Sequence, residues 1–297
     1  MITNSSKKSQ QFSQKKLTSL TCKLINARSL VNKLVDLDTV IAFEDPDIIG
    51  ITETWTTKDV ADRELYKIGY SIYRRDRINK RGGGVILYTK EHLNTELITD
   101  HNDDQVESLF CKVRKEKTSI HLGLFYRPPN NTETQDDALF AQINKMAKRR
   151  TILMGDFNMP KINWETMSAD CQSSKFRDVI LDNFLHQCVK LPTRNENILD
   201  LVFETEENLV KSVDITPPLG TSDHSSVTFQ IKMQVESTKL SKKPNFRKAN
   251  IAMMREELEL INWVTTLENK TTEEAWSLLA ETVDSLIKKI CTTSGRG

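Results

Sequence analysis

The segment Thr151-Ile152-Leu153-Met154-Gly155-Asp156-Phe157-Asn158 carries an apolar run into a carboxylate and a carboxamide two residues apart. Side chains alternate along an extended chain, so Asp156 and Asn158 project the same way. One can hold a water while the other binds a phosphate oxygen. Asp and Asn after Gly also make ordinary turns, so the motif alone decides nothing. The constraint comes from five further segments that place a polar group at or near the end of a strand-like apolar run: Leu24-Ile25-Asn26-Ala27-Arg28, Ile51-Thr52-Glu53-Thr54-Trp55, Phe125-Tyr126-Arg127-Pro128-Pro129, Ile198-Leu199-Asp200-Leu201-Val202 and Thr221-Ser222-Asp223-His224.

Between these segments the pattern alternates strands with helices. Strands are expected over residues 20–26, 47–53, 70–74, 84–89, 108–113, 119–126, 151–158, 198–204, 209–215 and 226–233. Leu30, Leu34, Leu37 and Ile41 recur at three- and four-residue steps and predict a helix that Ser29 can cap. Two more helices are expected over 134–148 and 173–187. Many antiparallel-looking strands with a few long crossover helices fit an α/β sandwich of two mainly antiparallel sheets with flanking helices.

This domain is expected over residues 17–235. Residues 1–16 are rich in Ser, Gln, Lys and Asn and read as a disordered polar N-terminus. Residues 236–250 read as a basic linker, and 251–297 as a helical tail with amphipathic helices near 251–263 and 272–291. The apolar positions of that tail call for a partner surface.

With 38% hydrophobic and 28% charged residues, the chain is of the globular class. A net charge of +1 argues against bulk electrostatic binding of nucleic acid, so any DNA contact must use local basic patches. Five cysteines without a Cys-x-x-Cys pair suit a reducing, intracellular compartment rather than a disulfide framework. No run approaches the roughly 18 apolar residues of a membrane span, and no secretory leader is expected.

Phosphodiester hydrolysis needs a positioned water, charge neutralisation at phosphorus and stabilisation of a leaving alkoxide. Glu53, an acid at the end of a buried strand, is a candidate ligand for a hard divalent cation, although a solvated strand-end acid has the same sequence signature. Asn26 offers a carbonyl oxygen to the same ion or to phosphate, and equally suits a helix cap. Asp200, embedded among Ile198, Leu199, Leu201 and Val202, needs a hydrogen-bonded partner. His224, at the mouth of the last alternating strand, is the natural one, so an Asp200–His224 pair with a cationic imidazole is expected.

In order and spacing, these blocks resemble the endonuclease/exonuclease/phosphatase superfamily, the DNase I-like and apurinic-endonuclease-like phosphoesterases, over roughly residues 17–235. The resemblance implies a four-layer DNase I-like sandwich and a Mg²⁺ cofactor, with Mn²⁺ as an alternative. It implies that Glu53 binds the metal with Asn26 nearby and that Asp223 contributes to a metal site. It further implies that Asp156 and Asn158 hold the attacking water and the phosphate, that Asp200 orients His224, and that Tyr126 contacts the phosphate or assists the leaving group.

Within the superfamily, the segments Asn26-Ala27-Arg28-Ser29-Leu30, Arg81-Gly82-Gly83-Gly84-Val85, Pro192-Thr193-Arg194 and the tail look most similar to endonucleases of non-LTR retrotransposon proteins. That similarity implies nicking of duplex DNA. DNA contact falls to Arg74, Arg75, Arg77 and Arg81 of a basic loop, with Arg127 and Arg194; a solvated charged turn is the plain alternative for the loop. No Tyr-x-Asp-Asp polymerase element is present, so a fragment or a shortened relative is expected. The competing functions are a silent DNA- or protein-binding remnant, a repair-type apurinic endonuclease and a small-phosphoester phosphatase.

Overall fold

The computed structural model describes residues 19–78, 81–98, 105–116, 118–147, 150–233 and 250–290. The expected polar N-terminus (1–16) lies outside them, as does the basic linker apart from Asn250. In chain order the elements are β1 (Ser19–Asn26), α1 (Leu34–Glu44), β2 (Ile48–Thr52), α2 (Asp62–Leu65), β3 (Tyr70–Arg75), β4 (Val85–Lys90), β5 (Asn94–Leu97), β6 (Glu107–Lys115), β7 (Thr118–Tyr126), α3 (Glu133–Met146), β8 (Thr151–Asp156), α4 (Cys171–Asp182), β9 (His186–Gln187), β10 (Asp200–Glu204), β11 (Val210–Thr216) and β12 (Ser226–Lys232). A separate unit carries α5 (Ile251–Glu259), α6 (Trp263–Leu267) and α7 (Thr272–Ile290).

The strands form two six-stranded sheets, ordered β11-β12-β1-β2-β4-β3 and β5-β6-β7-β8-β10-β9. Each sheet is antiparallel except for one central parallel pair, β1 with β2 and β7 with β8. Parallel neighbours need a long crossover, and α1 and α3 lie in those two connections. This is the expected DNase I-like α/β sandwich.

Strand parity builds the layers. Leu20, Cys22 and Leu24 of β1 meet Leu122, Leu124, Ile152, Met154 and Val202 between the sheets. The alternate residues Ile25, Ile49, Ile51 and Ile86 turn outward to Leu37 of α1. On the far side, Phe125, Leu153, Leu201 and Phe203 pack with Ile143 of α3 and Phe176 of α4. Phe157 joins Phe176 and Phe203 in an aromatic cluster with ring centroids 5.3 and 5.5 Å away.

Local differences have local causes. Ser29 does not cap α1: its φ is +79°, a 3-10 turn at Val31–Lys33 intervenes, and α1 has no side-chain cap. The helix expected over 173–187 stops at Asp182, because Phe184 turns left-handed (φ +52°) and redirects the chain into β9. β5, β9 and α2 are too short to have imposed a visible period. In the second unit, the helix expected over 251–263 ends at Glu259, where the Trp263 indole N–H donates to the Leu258 carbonyl at 3.2 Å. No helix among the described residues is long and apolar enough to cross a membrane.

Candidate active site

Asn26, Tyr126, Asp156 and Asp200 share the strand parity of the inter-sheet core, so their side chains point into the gap between the sheets. Register brings them to one rim: Asp156 is paired with Tyr126 on one side and Asp200 on the other, and Asn26 with Thr52, the residue before Glu53. His224 enters just ahead of β12.

Ligand atoms of Glu53, Asp156 and His224 all lie within 4.8 Å of one another. The Asn26 amide donates to Glu53 Oε1 at 3.0 Å and to Asp156 Oδ2 at 2.8 Å, tying the two sheets together. Its own Oδ1 accepts from the Arg28 N–H at 3.1 Å. Asn158 binds Asp156 twice, through its backbone N–H to Oδ1 at 3.0 Å and its amide to Oδ2 at 3.1 Å. Burial, followed by the nearby charge of Asp200 and then Glu53, pushes the Asp156 carboxyl well above the usual range, against the opposing pull of His224.

His224 Nδ1–H donates to Asp200 Oδ2 at 2.7 Å. Burial pulls the imidazole pKa down, but the hydrogen bond and charge of Asp200, with Asp156 beyond it, outweigh that and raise it. The pair expected from the sequence is therefore formed. Thr193 supports it, its hydroxyl accepting from the Leu199 and Asp200 N–H groups at 3.1 Å each. Tyr126 is buried beside these acids, which raises its hydroxyl pKa.

The rim is locally strained. Glu53, Trp55 and Asn158 hold φ of +49°, +55° and +47°, and Arg28 sits at +39°. Non-glycine residues in this region cost on the order of 1–3 kcal/mol each and cluster where geometry is functional.

Several expected residues lie elsewhere. Asp223 is not brought into the Glu53–Asp156–His224 group. Its Oδ2 is gripped by Arg28 and Arg194, each at 2.7 Å, and these guanidiniums lower its pKa against the effect of burial. In this arrangement its carboxylate is paired with two arginines. Arg127 is 4% exposed and makes two 2.8 Å bonds to Asp136. Arg74 is held by Asp62, Asp76 and the carbonyls of Thr57 and Val60. Both arginines are committed to ion pairs within the fold.

Arg77 pairs with Glu107 at 2.6 Å and lies over the Tyr126 ring, 5.5 Å from its centroid. Arg81 is exposed over Trp55 at 5.4 Å. Arg75, Arg77 and Tyr126 line one cleft of about 410 Å³, and Arg194 and Asn158 line another of about 420 Å³.

Sequence reasoning passed over Trp55, whose indole N–H donates to Glu53 Oε2 at 3.1 Å. It also passed over Ser222, whose hydroxyl donates to the Asn26 carbonyl at 2.7 Å, and Lys33, whose ammonium caps the carbonyls of Ala27 and Arg28 at 2.8 Å. Trp55 and Ser222 lie within the segments singled out in the sequence, two residues from Glu53 and His224, and that proximity was the available signal. Lys33 gave none.

The donor set fits a hard divalent cation. The carboxylates of Glu53 and Asp156 converge with the His224 imidazole, and carboxylate oxygens are the donors such an ion takes. The family of endonuclease-reverse transcriptase proteins matches residues 120–228 of this chain. Among solved structures, the endonuclease domain of TRAS1, a telomere-specific non-LTR retrotransposon, is similar with a TM-score of 0.57 and 18% identity, covering 73% of this chain and 100% of its own. The fold of this chain is that of the TRAS1 endonuclease domain, and the family match falls within it.

Further solved structures share the fold. AP endonuclease LMAP from Leishmania major superposes with a TM-score of 0.60 at 14% identity, over 73% of this chain and 88% of that one. A 3′ phosphatase from Neisseria does so with a TM-score of 0.54 at 14% identity, over 71% and 99%. No curated protein matches the sequence significantly. The match to the endonuclease-reverse transcriptase family supports phosphoester hydrolysis as the chemistry of this site.

Proposed function

We propose that this chain is a Mg²⁺-dependent endonuclease that nicks duplex DNA, in the manner of a retrotransposon target-site nuclease. The observation that carries the reading is the convergence of Glu53, Asp156 and His224 within 4.8 Å at the mouth between the sheets. Glu53 holds the ion, with Asn26 fixing its carboxylate and that of Asp156. A bound Mg²⁺ supplies charge neutralisation at the phosphoryl oxygens.

The protein's own groups do the rest. Asp156 holds the attacking water and takes its proton, with Asn158 orienting the carboxylate. His224, its Nδ1 committed to Asp200, presents its other nitrogen as a cationic donor to a phosphate oxygen. Tyr126 contributes its hydroxyl on the leaving-group side. DNA backbone contact falls to the exposed Arg81 and to Arg75, Arg77 and Arg194 along the two flanking clefts.

The test is conversion of supercoiled plasmid to open circles, in Mg²⁺ and in EDTA, by wild type, Glu53→Ala and His224→Ala. Mg²⁺-dependent nicking that both variants lose supports the reading. Equal nicking by either variant, or none by folded wild type under any divalent ion, overturns it.

A further inference from the structure

The inter-sheet core has a second polar rim. Glu204, the last residue of β10, has the same parity as Asp200 and faces the same gap from the other end of the strand. Four residues at about 3.3 Å each put it roughly 13 Å from the catalytic rim. It is 3% exposed. The two-residue strand β9 lies beside it, with His186 directly opposite Glu204 and Gln187 opposite Phe203. The spacing His186-x-Cys188 then puts the imidazole and the thiol on the face that Glu204 occupies.

The three groups meet there. His186 Nδ1 is 3.0 Å from Glu204 Oε1 and 3.8 Å from Cys188 Sγ, and the ligand atoms of all three lie within 4.8 Å of one another. Around a tetrahedral zinc ion, nitrogen–oxygen and nitrogen–sulfur edges are about 3.3 Å and about 3.5 Å. The observed edges straddle those values. The carboxylate is also pre-oriented, since Oε1 accepts from the Asn208 N–H at 3.2 Å and Oε2 from the Val210 N–H at 2.6 Å. Fixed ligands with their own hydrogen-bonded support are what a metal centre needs.

Those two backbone bonds account for Glu204 as a turn-capping acid. They do not account for a thiol and an imidazole on the same face. Burial and the charge of Glu204 push the Cys188 thiol up to about 12. A thiol there is a poor nucleophile without a compensating cation.

We propose that His186, Cys188 and Glu204 form a site for a borderline-soft divalent cation, zinc in chemical class, distinct from the oxygen-rich catalytic rim. Binding replaces the Nδ1–H···Oε1 hydrogen bond: the imidazole proton moves to Nε2, the thiol releases its proton to solvent, and the fourth position stays open to water. The site ties the edge strand β9 to β10 and to the turn at 204–210. Its role is therefore to hold the sheet rather than to cleave phosphodiesters.

Co²⁺ is the probe, added to the full chain in excess Mg²⁺ so that the oxygen-rich rim is filled. The expected result is a sulfur-to-cobalt charge-transfer absorption in wild type and in Glu53→Ala, bleached by Zn²⁺ and lost in Cys188→Ser. His186→Ala, at a side chain 57% exposed and so harmless to the fold, should bind at least tenfold more weakly. Zn²⁺ should raise the thermal midpoint of wild type and leave that of Cys188→Ser unchanged. Absence of the band in folded wild type overturns the proposal. So does its persistence in Cys188→Ser, which would assign the thiolate to another cysteine. Plasmid nicking in Mg²⁺ should be the same in Cys188→Ser and wild type, which separates this site from the catalytic reading.

Discussion

His224 donates through Nδ1 to Asp200 Oδ2 at 2.7 Å, and both side chains are 1% exposed. A buried carboxylate with no cation beside it is strongly unfavourable, so the two residues depend on each other. The bond fixes which ring nitrogen is left for a substrate. Asp200→Asn keeps the shape but removes the charge that holds the imidazole protonated. Nicking should fall by roughly 100-fold or more, while removal of one partner of a buried pair costs about 3 kcal/mol of stability. Denaturant unfolding alongside nicking rates checks this. Wild-type turnover in Asp200→Asn would show that the imidazole needs no carboxylate.

The rim also sets a pH dependence. Asp156 is raised by burial, by Asp200 and by Glu53, so the folded protein retains a proton that the unfolded chain loses near pH ~4. For His224 the folded pKa is raised too, so its contribution is intact below about 6.5 and is lost as pH climbs through the folded value. Both groups act in the same direction. The metal-free protein in EDTA should lose stability as pH rises above about 6.5, and less so in His224→Gln. Mg²⁺ should stabilise more at the higher pH, where its ligands are ionised. Thermal midpoints across that range, with and without Mg²⁺, decide it; a flat profile in EDTA contradicts the assignment.

Arg127 and Arg81 separate fold from binding. Arg127 is buried against Asp136 and also reaches the Asn158 carbonyl at 3.2 Å. Arg127→Ala strands the acid and should cost about 3–5 kcal/mol. Arg81 is exposed over Trp55 and has no such acid partner among the interactions described. Arg81→Ala should leave the unfolding midpoint within about 0.5 kcal/mol of wild type while weakening duplex binding and flattening its salt dependence. The comparison needs unfolding curves and salt-dependent affinity for both variants. Equal DNA binding with and without Arg81 would remove the loop from the interface.

Much of this was legible in the sequence because strand parity carries it. The two-residue spacing of Asp156 and Asn158 and the apolar burial of Asp200 each point to one rim, and Asp200 has one plausible imidazole. Arg127 and Asp223 have partners that the sequence did not show. A charged residue in a motif reads as a contact until its partner is known, and Asp136, Arg28 and Arg194 come from other segments. β9 was hidden because two residues have no period, which is also why His186, Cys188 and Glu204 were not seen as neighbours. Lys33, buried on three carbonyls of the turn after β1, looks from sequence like any helical surface lysine.

Gly155 explains why the central motif begins as it does. Its φ is +151°, and a Cβ built there would lie 1.9 Å from the Phe125 carbonyl oxygen, 2.8 Å from its carbonyl carbon and 2.9 Å from the Phe125 nitrogen. These are backbone atoms of β7, hydrogen-bonded in the sheet, so they cannot move aside like a side chain. The close approach sets Asp156 beside Tyr126 and brings the Arg127 N–H to the Asp156 carbonyl at 2.8 Å. Gly155→Ala must therefore displace β8 from β7 at the point where the acid is held. The expected cost is more than about 4 kcal/mol, in the range reserved for severe steric and backbone effects. Whatever protein still folds should show nicking reduced far more than duplex binding, because the arginines are carried on other strands. Unfolding midpoints, nicking rates and duplex affinity test both halves. A Gly155→Ala variant with wild-type stability would mean that β7 and β8 do not approach this closely in solution.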